Sequence, residues 1–341
     1  MRSNQITIKD IARILGISPS TVSRALKNHP DINSETKKAV NDLANKLKYQ
    51  PNAVALGLKN SRSNTIGVII PEIVHYFFSS VISGIEDVAY DAGFNVIICQ
   101  SNESAAREEA NARALLSHRV DGILVSVSKD TQSFEHLINL QEGGIPLVFF
   151  DRIAPEINAD QVIIDDRDAA YQATRHLIET GRKRIAHFAG PQKLAIGQDR
   201  LQGYCNALAE AGLPIDERLI VEADNLERAR NAISELLDAG IIPDGIFAVN
   251  DMTAIGAMKT IQKRGLVVPD DIAIVGFSDG FLSGVTDPHL SSVDQHGYEM
   301  GTTAAEILFS RIMSETDDYV PEVKILHANL IVRGSSKKKD D

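Results

Sequence analysis

The sequence predicts an α/β protein in two parts: a small all-α head at the amino end and a body of two doubly wound α/β units behind it. Three observations predict this. From Thr65 onward, short β-rich runs alternate with helical stretches at a spacing of about 25 to 28 residues in the first half, the rhythm of parallel strands joined by crossing helices. Ahead of that point the apolar residues fall at helical spacing instead. The charge divides at the same place: residues 1 to 63 hold eleven Lys and Arg against four acids, a net +7, and the remainder of the chain is at −18. A small basic module on a large acidic body is the footprint of a phosphate-binding head on a domain with another task.

Composition narrows the field. With 341 residues, 43% hydrophobic and 24% charged, the chain can bury more than one core. No apolar run approaches the ~20 residues that span a bilayer, and Met1-Arg2-Ser3-Asn4-Gln5 leads into no signal-like stretch, so a cytoplasmic protein with no membrane partner is expected. Cys99 and Cys205 form neither a disulfide framework nor a metal-ligand spacing, and no metal or cofactor is expected. There is no P-loop, HExxH or G-x-S-x-G pattern, which argues against an enzyme.

In the head, Thr7-Ile8-Lys9-Asp10 reads as a capped helix start, Ile8, Ile11, Ala12, Ile14 and Leu15 as its apolar stripe, and Gly16 as its stop. Ser18-Pro19 opens a second helix after a short turn, with Val22, Ala25 and Leu26 inward and Pro19, Ser20, Ser23, Arg24 and Lys27 outward. A third helix follows Asn33 or Ser34, burying Ala39, Val40, Leu43 and Leu47. Two short helices across a glycine turn, the second polar and basic outside, fit a helix-turn-helix; a plain three-helix bundle with a solvated face fits the pattern about as well.

The strings Ile6-Thr7-Ile8-Lys9-Asp10-Ile11-Ala12, Gly16-Ile17-Ser18 and Ser20-Thr21-Val22-Ser23-Arg24-Ala25-Leu26 separate these readings. They resemble the DNA-binding head of the lactose-repressor (LacI/GalR) family of bacterial transcription regulators, over residues 5 to 62. The resemblance implies base reading by Pro19, Ser20 and Arg24, and Arg24 suits a bidentate contact with guanine. Thr7, Lys9, Ser18, Thr21 and Ser23, with Lys37 and Lys38, would hold phosphates and set register. It further implies that 51–63 forms a hinge helix and linker that folds on DNA through Asn52 and Ala55 and inserts Leu58 into the minor groove. Leu56 stands where many relatives have a basic or polar residue.

The strand candidates of the body are Ile66 to Ile70, Asn95 to Cys99, Gly122 to Val127, Pro146 to Phe150, Arg184 to Ala189, Gly245 to Val249, Ile272 to Phe277, Val323 to Leu326 and Asn329 to Val332; the pattern stumbles near Asp165 and Ser292. This resembles the periplasmic-binding-protein-like (type I) sensor of the same family, two lobes linked by three crossovers around a cleft. The domains expected are 1–50, a helix-turn-helix; 51–63, the hinge; 64–334, an effector-binding and dimerisation domain; and 335–341, a disordered tail. Lobe edges near 165, 292 and 322 give a first lobe of 64–165 and 293–322 and a second of 166–292 and 323–334.

Ligands of open α/β sheets lie beyond the carboxyl ends of strands. There the chain carries His75-Tyr76-Phe77-Phe78, Ser126, Asp151-Arg152, Asn250-Asp251 and Asp279, with Arg200 on a helix after Gly190-Pro191. Carboxylates, an amide, a guanidinium and aromatic rings suit a sugar, whereas any single strand-end carboxylate is more often a helix cap. The resemblance raises Asp151, Arg152, Arg200, Asn250 and Asp279 to effector contacts, with Phe77, Phe78, Ser126 and Asn225 in the same cleft. His75-Tyr76 replaces a frequent Asn-Pro, and Asn225 replaces a frequent aromatic. The function expected is a homodimeric repressor of carbohydrate-related genes that binds a pseudo-palindromic operator on double-stranded DNA and responds to a sugar or sugar phosphate. The alternatives weighed are a regulator answering to a protein corepressor and an enzyme of sugar metabolism.

Overall fold

The computed structural model of the chain describes residues 6–49, 62–314 and 320–337. It falls into two units, Met1–Ser63 and Asn64–Asp341. Asn52, Ala55 and Leu58, and with them nearly all of the expected hinge, lie outside the described residues.

Among the described residues the head has three helices: α1 (Ile8–Leu15), α2 (Pro19–Leu26) and α3 (Ser34–Lys46). Thr7 and Asp10 form a reciprocal capping box at α1, and Gly16 ends the helix in the left-handed conformation at φ 65°. Ser18 caps α2 by accepting from the Thr21 N–H, with Pro19 at the first helical position, and Asn33 caps α3. Ile11, Ala12, Val22, Ala25, Val40 and Ala44 form the buried core. Two core expectations fail. Ile14 is 55% exposed, because positions 8, 11, 12 and 15 follow the 3.6-residue period and 14 does not. Ala39 is also exposed, and Ala44, one turn beyond Val40, takes the buried place.

In the body, the first lobe carries β1 (Thr65–Ile70), α4 (Tyr76–Asp91), β2 (Asn95–Gln100), α5 (Ala105–Ser117), β3 (Gly122–Val125), α6 (Glu135–Glu142), β4 (Leu147–Phe150) and β5 (Asp160–Ile164). The second carries α7 (Asp166–Glu179), β6 (Ile185–Ala189), α8 (Ala195–Glu210), β7 (Ile220–Glu222), α9 (Leu226–Asp238), β8 (Gly245–Ala248), α10 (Asp251–Lys263), β9 (Ala273–Phe277) and β10 (Ser291–Asp294). The chain then returns to the first lobe in α11 (Gly297–Met313) and β11 (Val323–Leu326), and ends its regular structure in β12 (Asn329–Ile331) of the second. The first sheet is ordered β11-β5-β4-β3-β1-β2 and the second β12-β10-β9-β8-β6-β7. All pairings are parallel except β10 with β12.

The three crossovers fall at Asp165, at Gln295-His296 and at His327-Ala328. The first is where the sequence places it. The second comes later than 292, because Ser291–Asp294 pairs with β9 of the second lobe. The third is not at 322: Val323–Leu326 pairs in parallel with β5 and belongs to the first lobe, leaving only β12 to the second.

Each lobe closes on a helix pair that approaches through glycine. A Cβ on Gly301 of α11 would stand 2.0 Å from the Val81 carbonyl oxygen of α4, and one on Gly84 of α4 would stand 2.2 Å from the Tyr298 oxygen. In the second lobe Gly203 of α8 lies as close to the Arg167 oxygen of α7, at 2.2 Å for the same added atom.

The expected disordered tail is ordered through Lys337, with Ser335 and Ser336 fully buried. Ser335 Oγ donates to the Ile274 oxygen at 2.6 Å and accepts from the Ser291 N–H at 2.8 Å, and Ser336 Oγ donates to Ser291 Oγ at 2.6 Å. Residues 338–341 lie outside the described residues. No helix among the described residues is long and apolar enough to cross a membrane.

Candidate functional site

The head presents Pro19, Ser20, Arg24 and Lys27 outward from α2, while Val22 and Ala25 hold the helix to the core. Arg24 has no acid beside it on α2, and its guanidinium is exposed. Thr7 and Ser18 use their hydroxyls on helix caps: Thr7 Oγ1 donates to Asp10 at 2.7 Å, and Ser18 Oγ accepts from the Thr21 N–H at 3.0 Å. Lys9, exposed at the start of α1, and the partly exposed Thr21 and Ser23 stand free of the core.

In the body, a cavity of about 200 Å³ opens where the carboxyl ends of both sheets face each other. Loops after strands of the first lobe contribute His75, Glu103, Lys129, Asp151 and Arg152, and the start of α4 contributes Phe77 and Phe78; loops of the second contribute Pro191, Asp224, Asn225, Asn250 and Ser278, and α8 contributes Arg200. Gln295 enters from the second crossover.

Arg200 is the best-held cation. Its Nε donates to Asp166 at 2.7 Å, its Nη1 to the Val249 carbonyl at 2.7 Å, and its guanidinium lies 3.7 Å from the Phe277 ring centroid. Asp166 is itself buried; that burial pushes its pKa up to about 6 against the opposing pull of Arg200, with the Asp151 charge adding to the rise. Asp151, at φ 58° just past β4, is raised by burial as well, with Arg152 and Arg200 pulling the other way. Arg152 Nη1 donates to both oxygens of Glu103 at 2.9 Å and lies 5.9 Å from the Phe78 ring. Phe77 and Phe78 meet edge to face at 5.2 Å.

The Asp166 shift has a consequence for stability. The folded protein keeps the Asp166 proton up to about pH 6, whereas the unfolded chain releases it near the ordinary carboxylate value of 3.8, so the group favours folding below about pH 4 and loses that contribution as pH rises through 6. The thermal midpoint of the native protein minus that of Asp166→Asn should therefore fall between pH 4.5 and 7. A difference that grows over this range would contradict the assignment.

The cleft gathers Phe77, Phe78, Asp151, Arg152, Arg200, Asn225 and Asn250, all expected from sequence. Two of them double as caps: Asn225 Oδ1 accepts from the Arg228 N–H at 3.0 Å, and Asn250 Oδ1 accepts from the Thr253 N–H at 2.8 Å. Two other expected residues are not brought there. Asp279 turns to the carboxyl-terminal segment, where Arg333 donates to its two oxygens at 2.5 and 2.9 Å. Ser126 is fully buried, outside the cleft lining, and its hydroxyl has no partner. Sequence reasoning missed Glu72, Glu103, Lys129, Asp224, Ser278 and Gln295. Several lie within four residues of a strand's carboxyl end, a signal that could have found them; Gln295 needed knowledge of the crossover.

A head with an outward basic second helix and a body with a two-lobed ligand cleft define a DNA-reading regulator with a built-in sensor. The chain belongs to the LacI family: residues 7–52 match the model described as bacterial regulatory proteins, lacI family, and residues 63–332 match the periplasmic binding proteins and sugar binding domain of LacI family. It is 35% identical to catabolite control protein A of Priestia megaterium over 92% of this chain and 94% of that protein. It is 32% identical to the HTH-type transcriptional repressor PurR of Vibrio atlanticus over 97% and 98%. Among solved structures, the transcriptional regulator CelR in complex with cellobiose superposes with a TM-score of 0.74 at 30% identity, covering 97% of this chain and 99% of that one.

Proposed function

We propose that this protein is a homodimeric repressor of carbohydrate-related genes that reads a pseudo-palindromic operator with α2 and releases or gains it as a small sugar-like effector binds the cleft. The observation that carries this reading is the pairing, in one chain, of an outward Arg24 on a capped recognition helix with a cleft whose polar groups converge from both lobes. An effector that prefers one separation of the lobes would shift the population between them. CelR is solved with cellobiose, which supports a sugar as the class of ligand.

A dimer is supported by an apolar patch formed from both lobes. Val74 and Tyr76 of the first lie near Phe281 and Leu282 of the second, with Val74 81% and Phe281 70% exposed. Phe281→Asp should convert the dimer to a monomer in gel-filtration light scattering; a wild-type monomer at micromolar concentration would refute the dimer.

Selection of genomic fragments by the purified protein at near-physiological salt should enrich an imperfect palindrome with half-sites about one helical turn apart. Arg24→Ala should lose about 1–3 kcal/mol of affinity for that site and relax its preference at one base pair. Enrichment of no motif, with or without candidate sugars, would sink the proposal.

A further inference from the structure

Among the described residues lining the cleft, every cation already has a carboxylate partner. His75 Nε2 stands 2.9 Å from Glu72, Arg152 is held by Glu103, Arg200 by Asp166, and Lys129 Nζ by Asp224 at 3.0 Å. The lining counts four carboxylates, Glu72, Glu103, Asp151 and Asp224, against the three permanent cations Lys129, Arg152 and Arg200. Counted formally, the lining carries one more negative charge than positive before any ligand enters, and Asp151 approaches Arg152 loosely, at 3.8 Å, with Gln295 and Arg200 also acting on it.

The Lys129–Asp224 pair differs from the others in where it lies. Lys129 follows β3 of the first lobe and Asp224 follows β7 of the second, so this pair bridges the cleft. A more exposed bridge, Lys193 to Asp130 at 3.2 Å, crosses beside it. The Lys129 backbone is fixed independently, its N–H donating to Glu103 at 2.8 Å, so the ammonium is delivered to Asp224 from an anchored loop. Asp224 is 11% exposed in its side chain and is held well enough by Lys129 and Arg228 to stay below the ordinary carboxylate range despite burial.

An anionic ligand would compete with these carboxylates for cations they already share, leaving them less compensated beside it. A neutral ligand rich in hydroxyls need only donate to Asp151 and exchange hydrogen bonds with Asn250, Ser278 and Gln295. We propose that the cleft is selective for an uncharged polyhydroxylated ligand over its phosphorylated derivative, and that Asp224, by occupying Lys129 across the cleft, is the residue that sets this selectivity. The inference rests on the reading of the cleft as the effector site.

The test is titration calorimetry of the full-length protein with neutral sugars and nucleosides, each beside its monophosphate. Wherever a parent compound binds, its monophosphate should bind at least about tenfold more weakly. In Asp224→Asn, which frees Lys129, that ratio should shrink about tenfold; in Lys129→Met, which removes the cation, it should widen or hold. A monophosphate that binds wild type as tightly as its parent, or two variants that move the ratio the same way, overturns the proposal. If nothing in the panel binds, the sugar-sensor reading itself fails, and charge selectivity is then read with inorganic phosphate. Phosphate should protect Asp224→Asn against thermal unfolding more than chloride of equal ionic strength does, and leave wild type unmoved. Equal protection of both overturns the proposal.

Discussion

Replacing Gly301 with alanine is expected to destabilise the body by about 3 kcal/mol or more, a fall in thermal midpoint of roughly 6 to 12 °C. The added methyl would stand 2.0 Å from the Val81 oxygen and 2.9 Å from the Val81 carbonyl carbon. Ordinary carbon contacts need about 3.5 Å or more, and a carbonyl inside a helix cannot swing aside as a flexible side chain can. The helices α4 and α11 must therefore separate, and α11 also covers the sheet through Leu308 and Ile312, which lie against Gly122. Gly284 is the control: an added Cβ there meets nothing within 4 Å and its φ is not left-handed, so Gly284→Ala should change stability by no more than about 0.5 kcal/mol. Scanning calorimetry of the two variants decides; comparable midpoints would mean that the close approach is not needed.

Arg200→Ala is expected to cost about 3–5 kcal/mol, because it leaves Asp166 buried without its cation and removes the face that covers Phe277. In a body of this size that is a midpoint lowered by roughly 6 to 20 °C. The same substitution should push the Asp166 proton affinity further up, since Arg200 is the strongest influence opposing burial there. The variant should thus be rescued in part by acid: its deficit relative to wild type should be smaller at pH 5 than at pH 7. A pH-independent deficit would show that lost packing, and not the stranded carboxylate, dominates. Removing both partners in Arg200→Met with Asp166→Leu should cost less than Arg200→Ala alone.

What the sequence made legible and what it hid divide along one physical line. Strands whose residues are apolar and buried on both faces, such as Ile66-Gly67-Val68-Ile69-Ile70 and Leu147-Val148-Phe149-Phe150, stand out as runs. The three missed strands do not. β5 opens with Asp160, fully buried and bonded by Arg311 of a helix 151 residues away. β10 reads Ser-Ser-Val-Asp, and its buried serines serve the carboxyl-terminal segment and Asp251. β7 is a three-residue edge. Polar residues satisfied by distant partners look like loop in a linear reading, and β10 adjoins the second crossover, which is why that lobe edge lies later than the sequence places it; the third lies past Val323–Leu326, a run that the sequence shows without showing which sheet it joins. The same holds in the cleft: Asp151 and Arg200 are legible from their place in the chain together with the family resemblance, while the capture of Asp279 by Arg333, 54 residues on, is not.

The threading of the body has a consequence for its biosynthesis. β5 receives its outer neighbour only when β11 is made, 159 residues after Ile164. At a synthesis rate of ~5–20 residues per second, the first sheet waits roughly 8 to 30 s with that edge open, while the whole second lobe emerges and can begin to fold. The lobe translated first is thus completed late. A nascent chain stalled before residue 323 would present an open edge on a largely apolar strand, of the kind that chaperones bind and that neighbouring chains on the same messenger can capture.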